Sequence, residues 1–297
     1  LFRAIGADRE VSYRGTQETE LVAGGEARRS RTRVLHRAPD LHRIEYLAPR
    51  DLAGLVVQDE GGFLRILNAA GALVRAAHPW QPGAGPGLRE RRLLLLRMNY
   101  RLDILGQETV VGRPADVVTL KPKAAGNPWR KLWIDRETAV VLRNEGYDAA
   151  GRLATSSQFS VFEVAPRFRG EDFALSAKPG EAAHGMVHLG PGEAAAERLA
   201  FDPVLPTYLP RGYVFEEGHL MEQEGVAALH LAFTDGLNTV SLFERPAGER
   251  KAARPEMHGL GAPGRVVTWV GGGLAFTLVG DLAPEELEKI AASLGGR

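Results

Sequence analysis

Few residues in this chain have the types and spacing to do chemistry. His184 and His188 stand four apart, the interval that sets two imidazoles on one helical face for a metal. Gly185 lies between them in a Gly- and Pro-rich run and no HExxH frame surrounds them, so they read as part of a solvated linker. Gly259-Leu260-Gly261-Ala262-Pro263-Gly264 matches GxGxxG letter for letter. The segment ahead of it, Ala253 to His258, does not read as a buried strand, and Pro263 stands where a phosphate-cradling helix would be building. It reads as a loop. No GxSxG, GxxxxGK[ST] or DxDxDG pattern occurs, and acids and bases are spread singly through turns, which supplies no acid–base constellation. The expectation is a binding protein, not an enzyme, without cofactor or metal.

Composition narrows the classes further. Lys and Arg total 37, Asp and Glu also 37, so the formal charge of +0 gives no global electrostatic case for nucleic acid or an anionic membrane. With no cysteine, disulfides, thiol catalysis and Cys-ligated metals are excluded. No stretch approaches the roughly 20 apolar residues of a membrane span. Leu93-Leu94-Leu95-Leu96 is far too short and reads as core or pocket wall. The chain begins at Leu1 without a charged-then-apolar leader, which reads as a mature or trimmed form.

The elements that would position any site are mostly strands. The stretch from Trp129 to Val164 reads as three of them: Lys131 to Ile134, a polar turn over Asp135 to Thr138, Val140 to Leu142, a second turn at Asp148-Ala149-Ala150-Gly151, and a strand carrying Phe159, Val161 and Phe162. Val11 to Thr19, Arg31 to His36, His42 to Leu47, Gly54 to Gln58 and Phe63 to Asn68 alternate in the same manner between Pro- and Gly-marked turns. Leu88 to Asn99 is free of breakers and reads as a helix, after a Pro- and Gly-rich loop from His78 to Gly87. Downstream, Val214-Phe215, Ala227 to Thr234, Thr239 to Glu244, Val266 to Val270 and Ala275 to Val279 read as strands. Ala283 to Leu294, with Pro284 and acids in its first turn and Leu287, Ile290, Ala291 and Leu294 at helical spacing, reads as a helix.

At 297 residues the chain suits two cores. The periodicity dissolves between about Arg167 and Pro203, so the expected division is a first domain over 1–170, a linker over 171–200 and a small α+β domain over 201–297. Trp80, Leu95, Trp133, Phe159 and Val161 are the apolar groups expected on the concave side of the first sheet. On their own chemistry they build a closed, dry core as readily as a pocket.

Some of these residues carry a resemblance. Leu132-Trp133-Ile134-Asp135, Thr138 and Leu142-Arg143, preceded by Tyr100, Gly106 and Gly112-Arg113-Pro114-Ala115, resemble the N-terminal domain of the periplasmic sigma-E regulatory proteins, the RseB/MucB family. That domain is similar to the lipoprotein carriers LolA and LolB. Leu209-Pro210-Arg211-Gly212-Tyr213 and Phe233-Thr234-Asp235-Gly236-Leu237-Asn238-Thr239-Val240-Ser241-Leu242-Phe243 resemble the same family's C-terminal domain. The resemblance implies a half-open antiparallel β-barrel with a helical lid, its apolar interior able to hold acyl chains, joined to a smaller α+β domain with an antiparallel sheet. It implies a periplasmic protein that holds the periplasmic segment of a membrane-spanning anti-sigma factor, with Thr234, Asp235, Gly236, Leu237 and Asn238 near the partner, and that answers to a lipid or lipopolysaccharide signal. A lipid or lipoprotein carrier of the LolA/LolB type is the alternative, which would need no second domain. Whether the protein forms a homo-oligomer stays open.

Overall fold

The computed structural model describes residues 2–23, 26–60, 63–71, 73–77, 87–175, 199, 201–223, 226–248, 253–259 and 265–294. Trp80, the His184–His188 pair, residues 176–198 and 200 of the expected 171–200 linker, and the loop 260–264 lie outside the described residues. The first unit opens with helix α1 (Phe2–Glu10) and strands β1 (Tyr13–Ala23), β2 (Glu26–Arg37), β3 (Leu41–Ala48), β4 (Val56–Glu60), β5 (Phe63–Leu67) and β6 (Leu73–Ala77). Helix α2 (Leu88–Asn99) leads into β7 (Tyr100–Val110), β8 (Arg113–Pro122), β9 (Trp129–Asp135), β10 (Val141–Tyr147) and β11 (Leu153–Val164). These eleven strands form one antiparallel sheet in the order β6-β5-β4-β3-β2-β1-β11-β10-β9-β8-β7. Two meanders therefore meet where β1 pairs with β11, and among the described strands the sheet is not closed into a barrel.

Local chemistry sets the turns. β7 and β8 are joined by Val111-Gly112 alone, both at positive φ (46° and 75°), the tight geometry whose twist matches that of the strands it joins. Between β9 and β10 the Asp135 carboxylate receives the Thr138 backbone N–H at 2.9 Å, the Thr138 hydroxyl at 2.6 Å and both arms of the Arg113 guanidinium at 2.9–3.0 Å. Burial alone would raise the Asp135 pKa, but Arg113 and Thr138 outweigh it and hold the carboxyl below its usual range.

The second unit has β12 (Val214–Gln223), β13 (Val226–Thr234), β14 (Thr239–Pro246), β15 (Ala253–Gly259), β16 (Arg265–Gly271), β17 (Leu274–Gly280) and helix α3 (Pro284–Ser293). Its six strands run β12-β13-β14-β17-β16-β15. Ala253 to Gly259 form β15, which pairs with β16 at the end of this sheet among the described strands. The ladder there is broken between Ala253 and Glu256, around Pro255, whose missing N–H confines proline to strand edges. Leu287, Ile290 and Ala291 of α3, with Leu294 just after it, pack with Val267, Trp269, Phe276 and Leu278 in the second core. The architecture is the mostly β, two-sheet arrangement expected from the sequence.

Candidate functional site

The most elaborate polar cluster lies where the two sheets meet, and the turn between β13 and β14 is its centre. Asp235 is fully buried. Its Oδ1 accepts the N–H groups of Leu237 and Asn238 at 2.9 and 2.8 Å, which shapes the turn locally. Its Oδ2 reaches across to the first unit, accepting the Tyr100 hydroxyl at 2.5 Å and the Asn127 amide at 3.2 Å. Asn238 donates to the Tyr100 oxygen at 2.8 Å, and Asn99 donates to the carbonyls of Gly212 and Asp235 at 3.0 and 2.9 Å. Thr234 closes the turn on itself, its hydroxyl donating to the Asn238 carbonyl at 2.8 Å and accepting from the Gly236 N–H at 3.0 Å. Burial, then the charge of Asp235, drives the Tyr100 pKa far up, so the phenol stays protonated and remains a donor.

Helix α2 supplies the rest of this seam. A Cβ on Gly236 would stand 2.5 Å from the Leu96 backbone nitrogen and 2.9 Å from the Leu95 Cβ. Leu237, like Leu132, packs against the buried cluster of Leu96, Tyr100 and Leu120. Arg92 forms a two-armed ion pair with Glu216 and also donates to Thr239, while Arg91 donates to the Phe215 carbonyl at 2.7 Å. The five residues Thr234 to Asn238 thus act together as one turn, and that turn faces the first sheet.

The apolar residues expected on the concave side separate. Trp133 and Phe159, 1% and 3% exposed, lie in a filled core with Ala7, Tyr13, Val34 and Leu142. The Trp133 indole N–H donates to Glu108 at 2.8 Å, and the Arg143 guanidinium lies 4.3 Å from the ring centroid. Leu95 belongs to the seam. Val161 is 58% exposed on the opposite face of the sheet, in a cleft of about 470 Å³ that Arg14, Arg33, Arg43, Glu45 and Glu163 make strongly charged. Phe159 and Val161 part company because Ser160 is an extra residue: Thr16 pairs with Val161 and Gln17 with Phe159, a β-bulge that reverses the side-chain alternation. Gly15 is required beside it, since a Cβ there would meet the Val161 carbonyl at 2.3 Å. The described members of that set do not converge on one apolar pocket.

One feature went unread in the sequence. β7 ends the first sheet, pairing with β8 alone among the described strands, and Arg101 through Thr109 are exposed without interruption. Leu102, Ile104 and Leu105 stand open on it, Ile104 at 72% exposure. Leu94 and Met98 of α2 and Phe215 of β12 are exposed as well. Apolar residues at alternate positions of an edge strand were the available signal, but nothing local says which strand ends a sheet.

The MucB/RseB N-terminal domain family matches residues 3–177 of the chain. Among curated proteins none matches. The fold is shared with the solved complex of Pseudomonas aeruginosa MucA/MucB, at 20% identity and a TM-score of 0.65 over 98% of this chain and 95% of that one. MucB in complex with MucA(peri) aligns with a TM-score of 0.66, again at 20% identity, over 99% of this chain and 96% of the other. A further structure of MucB gives 0.62 at 20% identity, covering 99% and 95%.

Proposed function

Because the chain belongs to the MucB/RseB family, we propose that it is a periplasmic regulatory binding protein that holds the periplasmic segment of a membrane-spanning anti-sigma factor. The observation that carries this reading is the open edge of β7 with its apolar side chains. An unpaired strand presents a row of backbone donors and acceptors that an extended peptide satisfies, and exposed alternate side chains give that peptide its register. The likeness to MucB solved with MucA supports a peptide-like partner. In this reading Thr234 to Asn238 serve the partner indirectly, by fixing α2 and the start of β7 from beneath. The units 1–170 and 201–297 are then two cores that present one surface.

A lipid or lipopolysaccharide signal would act by linkage: a ligand that binds only the released conformation shifts the equilibrium by its differential affinity. Trp133 and Phe159 are buried in the core of the first sheet, so an acyl chain held there would have to displace or lie beside them.

The test uses the intact protein and the periplasmic segment of a single-span anti-sigma factor encoded beside it. Ile104→Lys combined with Leu102→Lys should weaken binding roughly 10-fold or more, since a few apolar anchors dominate such contacts. The melting temperature should hold, because both residues are exposed. Unchanged affinity in that variant would remove β7 from the partner surface.

A further inference from the structure

We propose that Asp8, His36 and His42 form a site for a divalent cation with zinc-like preferences. The three residues come from α1, β2 and β3, and their ligand-capable atoms all lie within 4.8 Å of one another. The β2–β3 register sets His36 directly opposite His42, with ring centroids 3.9 Å apart and planes inclined by 28°. Asp8 is brought over them by the end of α1, where Tyr13 donates its hydroxyl to the Asp8 carboxylate at 3.1 Å.

His36 is the informative member. It is fully buried, and its Nε2 lies 2.5 Å from the Asp8 carbonyl oxygen. A carbonyl only accepts, so Nε2 carries the hydrogen and, in the neutral ring, Nδ1 holds the lone pair. That Nδ1 is buried without a hydrogen-bond partner. An imidazole that donates one N–H to a backbone carbonyl, with its other nitrogen left unpaired, is held as a metal-ligating histidine is held. His42 adds a second nitrogen.

Two imidazoles and one carboxylate suit zinc better than magnesium or calcium, which favour oxygen alone. Bonds of about 2.0–2.2 Å would require the ligand atoms to draw in to roughly 3.3 Å of one another. A fourth position is left for water. The ion would pin α1 to β2 and β3, joining the start of the chain to its sheet. The competing explanation is an aromatic core contact in which His36 and His42 simply stack beside Tyr13.

The test is titration of Zn²⁺ into the intact, chelator-stripped protein, followed by calorimetry and by melting temperature, with Co²⁺ absorption reporting the donor set. One equivalent should bind, with a rise in melting temperature and a cobalt spectrum of nitrogen–oxygen coordination. Asp8→Asn, at an exposed position, and His42→Ala should each weaken binding roughly 10-fold or more. The double variant His184→Ala with His188→Ala should bind as the parent does. Absence of saturable binding at one equivalent, or binding unchanged in both Asp8→Asn and His42→Ala, would overturn the site.

Discussion

Glu244 is fully buried, with one carboxylate oxygen accepting the Val204 N–H at 3.0 Å and the other without a hydrogen-bond partner. Burial pushes its pKa up to about 7, the Val204 hydrogen bond only partly opposing. The folded state therefore keeps a proton there that the unfolded chain gives up near pH 4.5. Stability from this residue is fully present below that value and is lost as pH rises toward 7. His230 has the opposite sign. Burial foremost, then His219, lowers it to about 4, so its contribution is present above about 6.5 and is lost as pH falls toward 4. Subtracting the pH profile of a Glu244→Gln variant from that of the parent isolates the first group, since His230 is common to both. In urea unfolding the variant should gain on the parent as pH rises from about 4.5 to 7, by at most about 1.4 kcal/mol per pH unit; parallel profiles would refute it. Single residues also mark a limit of what the sequence holds. Asp235-Gly236 is legible as a hairpin turn from its neighbours, but the Tyr100 hydroxyl that Asp235 accepts is 135 positions away. No local pattern encodes that partner.

Among elements, α2 was readable to its ends: Leu88 to Asn99 is the helix observed, because Gly87 precedes it and no breaker interrupts it. What the sequence did not say is that α2 would be shared between the two sheets, since the apolar run Leu93 to Leu96 offers burial in several directions. The same gap hid the bulge at Ser160, where only the β1 register shows the extra residue. Gly236 tests the sharing. It sits at φ 97°, and a Cβ there would press on the α2 backbone, so Gly236→Ala should cost about 1–3 kcal/mol from conformation alone and lift the turn off the helix. Gly248→Ala is the control, with φ 60° but nothing within 4 Å of its Cβ position. Small-angle scattering should show a larger radius of gyration for the first variant and not for the second. Equal effects in both would mean that backbone strain, not contact with α2, decides.

For the whole molecule, the mostly β character with two antiparallel sheets was legible from the strand patterns, whereas the polar seam between the sheets was not. A fragment of residues 1–200 leaves Tyr100, Asn99 and Asn127 without Asp235 and its carbonyl, and uncovers Leu96. Each buried polar group left unpaired costs on the order of 1–3 kcal/mol unless water reaches it. The fragment should therefore melt below the intact protein and bind more of a hydrophobic dye than the intact protein does. A fragment as stable as the whole would show that the seam contributes little.

The strand order of the first sheet also governs how it can be assembled. Hairpins from β1 to β6 and from β7 to β11 join neighbours in sequence and close within microseconds of meeting. The bond between the halves is different: Tyr13 meets Val164 and Leu21 meets Thr155, so the junction waits for a loop of more than a hundred residues to close. Until the last of those residues is available, β1 is a bare edge, and Tyr13 has no Phe159 or Phe162 to pack against. A chain that emerges from its N-terminus first carries that exposed edge through most of its synthesis or export, which makes the β1–β11 seam the place where delay would turn into aggregation.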